Sequence, residues 1–415
     1  MCLRQQPFAH MQRFGIAVAA VASAAVVVLI LRRQRRVART PKLIATYPTK
    51  VTGRKWYGHI IVTEQSHPTD STQLFRSLHL GSAENIPEST MQFRRQGSIW
   101  HPVASALLKP HLQHSLLAFC FLPAEGVPPN RRFGLVGCAA GAMLHFWREC
   151  VPGGDTLRID GIEIDQAVLD AARTHFGLEL LEPASEKAAA AAAGAPPASN
   201  VPATTAAADD DDDDELPAGP PGVTFHAADG ADYLRDAEDE AYTLLMIDLD
   251  MGNLVAPPTQ APAAEASSRA VGANAMTDSG AGTAATRRTN KVRKPPPPDP
   301  TRDMYRVLRE DGVLVINEYS EEGPAKRLED TLRLVRLLRR FFPEVHVVRT
   351  NTSRNTMLIA PVTASNPRPG AAVPTPDISG LAERASRCCA HLGRGGIDLE
   401  ALVRSVPPNR YQVYS

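Results

Sequence analysis

The chain has 415 residues, 43% of them hydrophobic, and 45 Lys and Arg set against 45 Asp and Glu leave a formal net charge of zero. Neutrality removes the basic field with which a general nucleic-acid binder holds phosphates. The six cysteines (Cys2, Cys120, Cys138, Cys150, Cys388, Cys389) show no CxxC pair and no Cys/His metal spacing, so neither a metal site nor a disulfide framework is expected, and a reducing compartment is.

In chain order the first feature is Phe14–Leu31, FGIAVAAVASAAVVVLIL, an uncharged apolar run just long enough to cross a bilayer. Arg4 and Arg13 precede it, whereas Arg32, Arg33, Arg35, Arg36, Arg39 and Lys42 follow it. Arg32 and Arg33 stand where small residues would mark a secretory cleavage site, and the apolar core is too continuous for an amphipathic transit peptide. Residues 1–43 are therefore read as a single-pass membrane anchor with a basic flank, and the positive-inside bias puts everything after Leu31 in the cytosol. Mitochondrial or plastid import is the alternative, because acid-poor, Arg-bearing leaders share this composition.

Residues 44–125 predict a β-rich cap. WYGHIIVTEQ and QLFRSLHLG read as short antiparallel strands, and SIWHPVASALLKPHLQHSLLAFCFLP as a helix broken at Pro110. From 126 to 362 the pattern alternates. RFGLVG, TLRIDGIEI, GVTFHAADG, AYTLLMIDLD and GVLVINEYS read as strands. AGAMLHFWREC, DQAVLDAARTHFG, ADYLRDAEDE and DMYRVLRED are the helical segments between them. In the second helix Asp165 is the expected N-cap, Val168, Ala172 and Phe176 one buried face, and Gly177 the stop. PAKRLEDTLRLVRLLRRFF follows as an amphipathic helix with Leu328, Leu332, Val335 and Phe341 inward. EVHVVRT and NTMLIAPV close the series as a strand pair. The result is an α/β fold: a doubly wound, Rossmann-like sheet of seven strands, the last antiparallel. Two Ala/Pro/Ser/Asp-rich insertions, 183–220 and 256–300, hold almost no large apolar residues and are expected to be disordered. Their acidic run Asp209–Glu215 and basic cluster near Arg287 read as solvated spacers. Residues 363–415 form a C-terminal extension.

Ligands in such sheets sit at the carboxyl ends of the strands, near the point where strand order reverses. Gly137 and Gly141 bracket the first strand-to-helix loop, where backbone N–H groups and small residues allow close approach of a ligand. Glu163 ends the second strand, placed to accept from two ribose hydroxyls. Asp229 and Gly230 end the third, placed for an exocyclic adenine amine. Asp248 and Asp250 follow the fourth. Singly each is as readily a helix cap or a packing glycine; acids at successive strand ends behind one Gly loop make a nucleoside site.

The ordered segments GLVGCAAGAM, GIEIDQAVLDAARTHFGL, VTFHAADGADYLRD, YTLLMIDLDMGN and LREDGVLVIN resemble the class I S-adenosylmethionine-dependent methyltransferases, in their spermidine-synthase-like branch. The resemblance is strongest to the methyltransferase-like proteins that methylate translation elongation factor 1A. It rests there on a Pro-rich KPPPPDP connection and on the closing FFPEVHVVRTNTSRNTMLIA. The resemblance implies Gly137 and Gly141 at the methionine part of S-adenosyl-L-methionine, Glu163 at ribose, Asp229 at adenine and Asp248 beside the reacting centre. Two departures stand out. Ala139 occupies the middle of a loop that usually reads GxGxG, and the DxxDP segment that holds a polyamine is replaced by DLDMGN.

The expected activity is therefore methylation of a protein amine, a lysine or an N-terminus, with a translation factor as a possible substrate. An aminopropyltransferase using decarboxylated S-adenosylmethionine is the runner-up, and a catalytically inactive nucleotide-binding scaffold comes third. A dehydrogenase fits the closing strand pair and Asp229–Gly230 poorly. Asp248 is the candidate catalytic carboxylate, with Asn253 and Tyr319 as orienting groups. His101 either lines the acceptor groove or merely packs at a helix start. No metal ligand set is visible.

If Phe14–Leu31 is an anchor, full-length protein should stay in the membrane pellet after alkaline carbonate washing, and a chain lacking Met1–Arg39 should be soluble. Release by carbonate would mark the segment as a cleaved leader.

Overall fold

A computed structural model describes residues 40–49, 51, 58–122, 131–181, 221–249, 299–319, 323–350, 354–362, 378–392 and 397–414. The apolar run 14–31 and almost all of both insertions lie outside the described residues. No helix among the described residues is long and apolar enough to cross a membrane.

Five antiparallel strands build the N-terminal sheet: β1 (Lys42–Pro48), β2 (His59–Ser66), β3 (Gln73–Leu80), β4 (Ser89–Gln96) and β5 (Ile99–Pro102), side by side in chain order. In β4 the residues Ser89, Met91 and Phe93 are buried while those between them are not. That period of two gives the sheet one inward face, shared with Ile60, Val62, Leu74 and Leu78. Of the helix expected over 98–123 and broken at Pro110, only the part from Pro110 onward forms. Residues 99–102 pair with β4, Ile99 opposite Gln96 and Pro102 opposite Phe93. Helix α1 (Pro110–Ser115) starts only at Pro110, which sits in its first turn, and a 3₁₀ segment, Leu116–Phe121, follows. Pairing with β4 takes residues 99–102 as a strand, and Pro110, which has no N–H, opens the helix instead of sitting inside it.

The second sheet carries the α/β alternation. Its elements are β6 (Arg132–Val136), α2 (Ala142–Cys150), β7 (Arg158–Glu163), α3 (Gln166–Phe176), β8 (Gly222–Ala227), α4 (Gly230–Asp236), β9 (Tyr242–Ile247) and α5 (Pro300–Arg306). They continue with β10 (Leu308–Tyr319), α6 (Pro324–Leu338), β11 (Val345–Arg349), β12 (Asn355–Pro361), α7 (Ile378–Leu392), α8 (Leu399–Ser405) and β13 (Tyr411–Tyr414). The strand order is β13-β11-β12-β10-β9-β6-β7-β8. Strands β8, β7, β6, β9 and β10 are parallel, and β12 runs antiparallel between β10 and β11. The chain begins in the middle at β6, winds outward to β8, then returns to the other side of β6 as β9. That makes an open, doubly wound sheet with its switch point between β6 and β9.

The sheet has eight strands rather than the expected seven. β13 pairs antiparallel with β11, Val345 opposite Tyr414 and Val348 opposite Tyr411, and so covers the edge that β11 would otherwise expose. A four-residue YQVY is too short to announce itself in sequence. Both faces of the sheet are covered. Along β9, Leu244 and Met246 join one apolar cluster with Phe133 and Trp147, and Leu245 and Ile247 the other with Leu338 and Phe342. In α3 the Asp165 side chain caps Ala167 N, Val168, Ala172 and Phe176 are buried, and Gly177 stops the helix at φ +77. In α6 the inward face is only partly the expected one: Val335 is buried and Phe341 packs against the core as expected. Thr331, Leu334, Val335 and Leu338 are buried, whereas Leu328 is 42% exposed. The polar Thr331 takes an inward position because its hydroxyl donates to the buried Glu318 carboxylate at 2.6 Å. That shifts the stripe away from the purely apolar one.

Helices α7 and α8 are part of the same core: Leu381, Ala385, Leu392, Leu399 and Val403 are buried in the cluster that holds Trp147. Leu399→Ala should therefore lower the stability of the whole α/β unit by about 2–5 kcal/mol, the usual range for such a truncation. Tryptophan fluorescence during urea unfolding checks this. An unchanged transition would make the C-terminal helices a passive appendage.

Candidate functional site

The loop between β6 and α2 is stitched to both neighbouring strands. Gly137 N and Cys138 N donate to Ile162 O on β7, at 2.8 and 3.2 Å, and Asp248 N, just past β9, donates to Val136 O at 2.8 Å. Gly137 has φ +84, and a Cβ there would lie 2.3 Å from the Asp248 carbonyl oxygen; at Gly141, φ +79, it would lie 2.2 Å from Leu178 Cδ2. Both glycines thus let one piece of chain pass against another, so their first duty is packing. Ala139, between them, also holds a left-handed backbone at φ +45, and its N–H donates to Glu163 Oε2 at 3.1 Å. The amides of residues 137, 138, 139 and 141 are consequently all engaged within the protein. This corrects the expectation that this loop's own amides cradle a ligand. By helix geometry the free donors are those of the first turn of α2, Ala142 to Leu144.

Glu163 ends β7 and is almost fully buried. Besides Ala139 N, its carboxylate accepts from Asp165 N at 3.4 Å. Burial outweighs these bonds and pushes its pKa up to about 7. Asp165 in turn accepts from Ala167 N and from the Thr49 hydroxyl, which brings the end of the N-terminal sheet to the rim of the site. Asp229 is exposed and caps α4, its Oδ1 accepting from Ala231 N at 2.8 Å and Asp232 N at 3.4 Å. Gly230 is needed because a Cβ there would lie 2.3 Å from Val136 Cγ1.

Asp248 stands at the switch point. Asn317 Nδ2 on β10 donates to its Oδ1 at 2.6 Å, and Asn355 Nδ2 on β12 donates to Asn317 Oδ1 at 2.8 Å. On the other side His111 Nε2 of α1 lies 3.9 Å from Asp248 Oδ2. Burial lowers the His111 pKa against the pull of Asp248. Lys109, also lowered by burial, feels both Glu88 and Asp248, and its Nζ donates to Pro87 O at 2.5 Å.

Sequence reasoning missed Asn317, Asn355, His111 and Lys109. One signal was available: Asn317 is a polar residue in the otherwise apolar VLVIN stretch of a fully covered strand. The others depend on folding, because β12 lies beside β10 and α1 beside both only in space. Gly137, Gly141, Glu163 and Asp248 come together around the β6–α2 loop, with Asp229 and Gly230 at the next strand end. Tyr319 is 38% exposed at the end of β10, and the residue that orients Asp248 is Asn317, two places earlier. His101 lies on β5 opposite Arg94, not at a helix start; the histidine that faces Asp248 is His111. Asp250 and Asn253 lie outside the described residues. Among the described residues no group of three His, Cys, Asp or Glu is placed to hold a metal ion.

No protein-family model and no curated protein matches the chain. Among solved structures it is similar to a probable spermidine synthase from Corynebacterium glutamicum, at 12% identity and TM-score 0.45, covering 89% of this chain and 90% of that one. It is also similar to human methyltransferase-like protein 13 in complex with SAH (18%, TM-score 0.38, 72% and 94% covered). A spermidine synthase from Thermotoga maritima follows at 13% identity and TM-score 0.37, with 78% and 73% covered. At these scores a likeness carries no argument about activity or substrate, which have to come from the chain's own residues.

The raised pKa of Glu163 gives a stability test. Its protonated form is favoured in the folded state, so its contribution is complete below the unfolded value of 4.5 and is lost as pH rises through about 7. Glu163→Gln removes that loss, on the order of 3 kcal/mol by linkage, but forfeits one accepted hydrogen bond, about 1 kcal/mol. The variant should thus be more stable than wild type by roughly 1–2 kcal/mol at pH 8, with the advantage gone near pH 5. Urea unfolding at the two pH values decides.

Proposed function

We propose that this chain is an S-adenosylmethionine-dependent methyltransferase whose acceptor is an amine on a protein. The observation that carries the reading is Asp248: a carboxylate fixed by the Asn355–Asn317 amide chain, at the switch point, with its own carbonyl against Gly137. Such a group can accept N–H bonds from an amine and hold its nitrogen lone pair in line with a methyl donor lying along the β6–α2 loop.

The residues present fit that donor. A carboxylate offers about four lone-pair sites; the backbone at Ala139, Asp165 and Ile164 bonds to Glu163, which leaves one for a ribose hydroxyl. Asp229 caps α4 through Oδ1, which leaves Oδ2 for an adenine amine. The first-turn amides of α2 suit a carboxylate. S-adenosylmethionine supplies an electrophilic methyl group there, while the protein's part is to bind, align and manage the acceptor's proton. Lys109 bears on the choice of acceptor. Its ammonium beside Asp248 is unfavourable for a diamine dication, so a protein lysine or N-terminus fits better than a polyamine. A translation factor as acceptor, and a site on the cytosolic face of a membrane, belong to the same proposal.

Labelled S-adenosylmethionine incubated with a lysate should transfer label to protein. Asp248→Asn should reduce that transfer by about 10²-fold or more, because the acceptor amine loses the charge that holds and aligns it, with nucleoside affinity within a few-fold because Asn317 can still donate to the amide oxygen. S-adenosylmethionine should also out-compete its decarboxylated form. The reverse preference, together with turnover of putrescine or spermidine, would make the chain an aminopropyltransferase.

A further inference from the structure

We propose that His111 takes the proton that the acceptor amine must lose, acting across the gap from Asp248. The inference rests on the methyl-transfer reading and adds a residue to it. The two oxygens of Asp248 are supplied differently: Oδ1 is bonded to Asn317 at 2.6 Å, while Oδ2 faces His111 Nε2 at 3.9 Å. That separation is too long for a hydrogen bond. A single nitrogen about 2.9 Å from each, lying beside the line that joins them, would donate one hydrogen to the carboxylate and one to the imidazole.

The surroundings suit a proton acceptor. The His111 side chain is 13% exposed, and burial, opposed by Asp248, lowers its pKa and so favours the neutral imidazole. The charged and titratable groups that bear on it are Asp248, Lys109 and His114, with Glu88 beside Lys109. β10 and β12, which α1 packs against, contribute the uncharged amides of Asn317 and Asn355, and Glu318 is engaged with Thr331 of α6. Among ordinary side chains an imidazole near about 6.5 matches an amine near about 10 far better than a carboxylate near about 4. Asp248 then holds the ammonium and His111 discharges it. One N–H proton passes to His111 Nε2, the neutral amine turns its lone pair from the imidazolium toward the methyl group, and the N–CH₃ bond forms. The S–CH₃ bond breaks with its electron pair left on sulfur, and the imidazolium returns its proton to solvent.

The test uses the full chain, labelled S-adenosylmethionine and the lysate protein that wild type labels, with initial rates measured from pH 6 to 10. His111→Asn should be at least tenfold slower at pH 7. Its rate should keep climbing with pH where wild type levels off, and added imidazole should restore part of it, with S-adenosylmethionine affinity by calorimetry unchanged within about twofold. A second readout is independent of turnover: in the free protein, Asp248→Asn should move the His111 imidazole titration, followed by NMR, to lower pH. A His111→Asn variant with wild-type rate and pH profile, or an imidazole midpoint that ignores Asp248→Asn, overturns the role of His111 while leaving methyl transfer intact. A wild-type chain that labels no protein removes the reaction, and this proposal with it.

Discussion

The contact on which the site depends is the approach of the Gly137 backbone to the Asp248 carbonyl. β6 and β9 are neighbours in the sheet although more than a hundred residues separate them, and their carboxyl ends must be held together for any group after β9 to face the β6–α2 loop. The Asp248 N–H bonded to Val136 O and the absence of a side chain at Gly137 do this together. A Cβ at 2.3 Å from a backbone oxygen has no rotamer by which to escape, so the constraint is on the main chain itself and is not relieved by repacking.

From that junction the polar groups follow in a line. Asp248 is oriented by Asn317, and Asn317 by Asn355, so three strands of the sheet contribute to one carboxylate. Buried amides must find partners because an unsatisfied one costs about 1–3 kcal/mol, and satisfying them in series leaves Asp248 little freedom. On the other flank Glu163 ties the loop down through Ala139 N, at the cost of a left-handed alanine and a carboxyl whose pKa burial pushes up to about 7. Such concentrations of unfavourable local features belong to sites rather than to scaffolds.

The parts outside the alternating sheet are not accessories. Thr49, just past the edge strand β1, donates to the Asp165 carboxylate, and the 3₁₀ segment after α1 shares its apolar cluster with α7 and α8. His111 and Lys109 therefore reach the switch point on a segment wedged between the two sheets and the C-terminal helices, and their placement depends on all three.

How much of this was legible depended on the range of the interaction. Buried strands, the Asp165 cap, the Gly177 stop and the order of acids at strand ends are local or periodic properties, and the sequence carries them because backbone geometry and side-chain period act within a few residues. The span of the first helix was misread because strand pairing with β4 overrode an apolar run, and the face of α6 because a buried hydroxyl with a partner counts as inward. The eighth strand, the Asn317–Asn355 chain and the position of His111 could not be read at all. Each joins residues that are far apart in the chain, and each exists only once the sheet order brings β12 beside β10, β13 beside β11 and α1 over the end of β9. The sequence by itself determined which residue types were available at the strand ends. Tertiary structure decided which of them face one another, because directional hydrogen bonds and close backbone contacts are set by three-dimensional register and not by spacing along the chain.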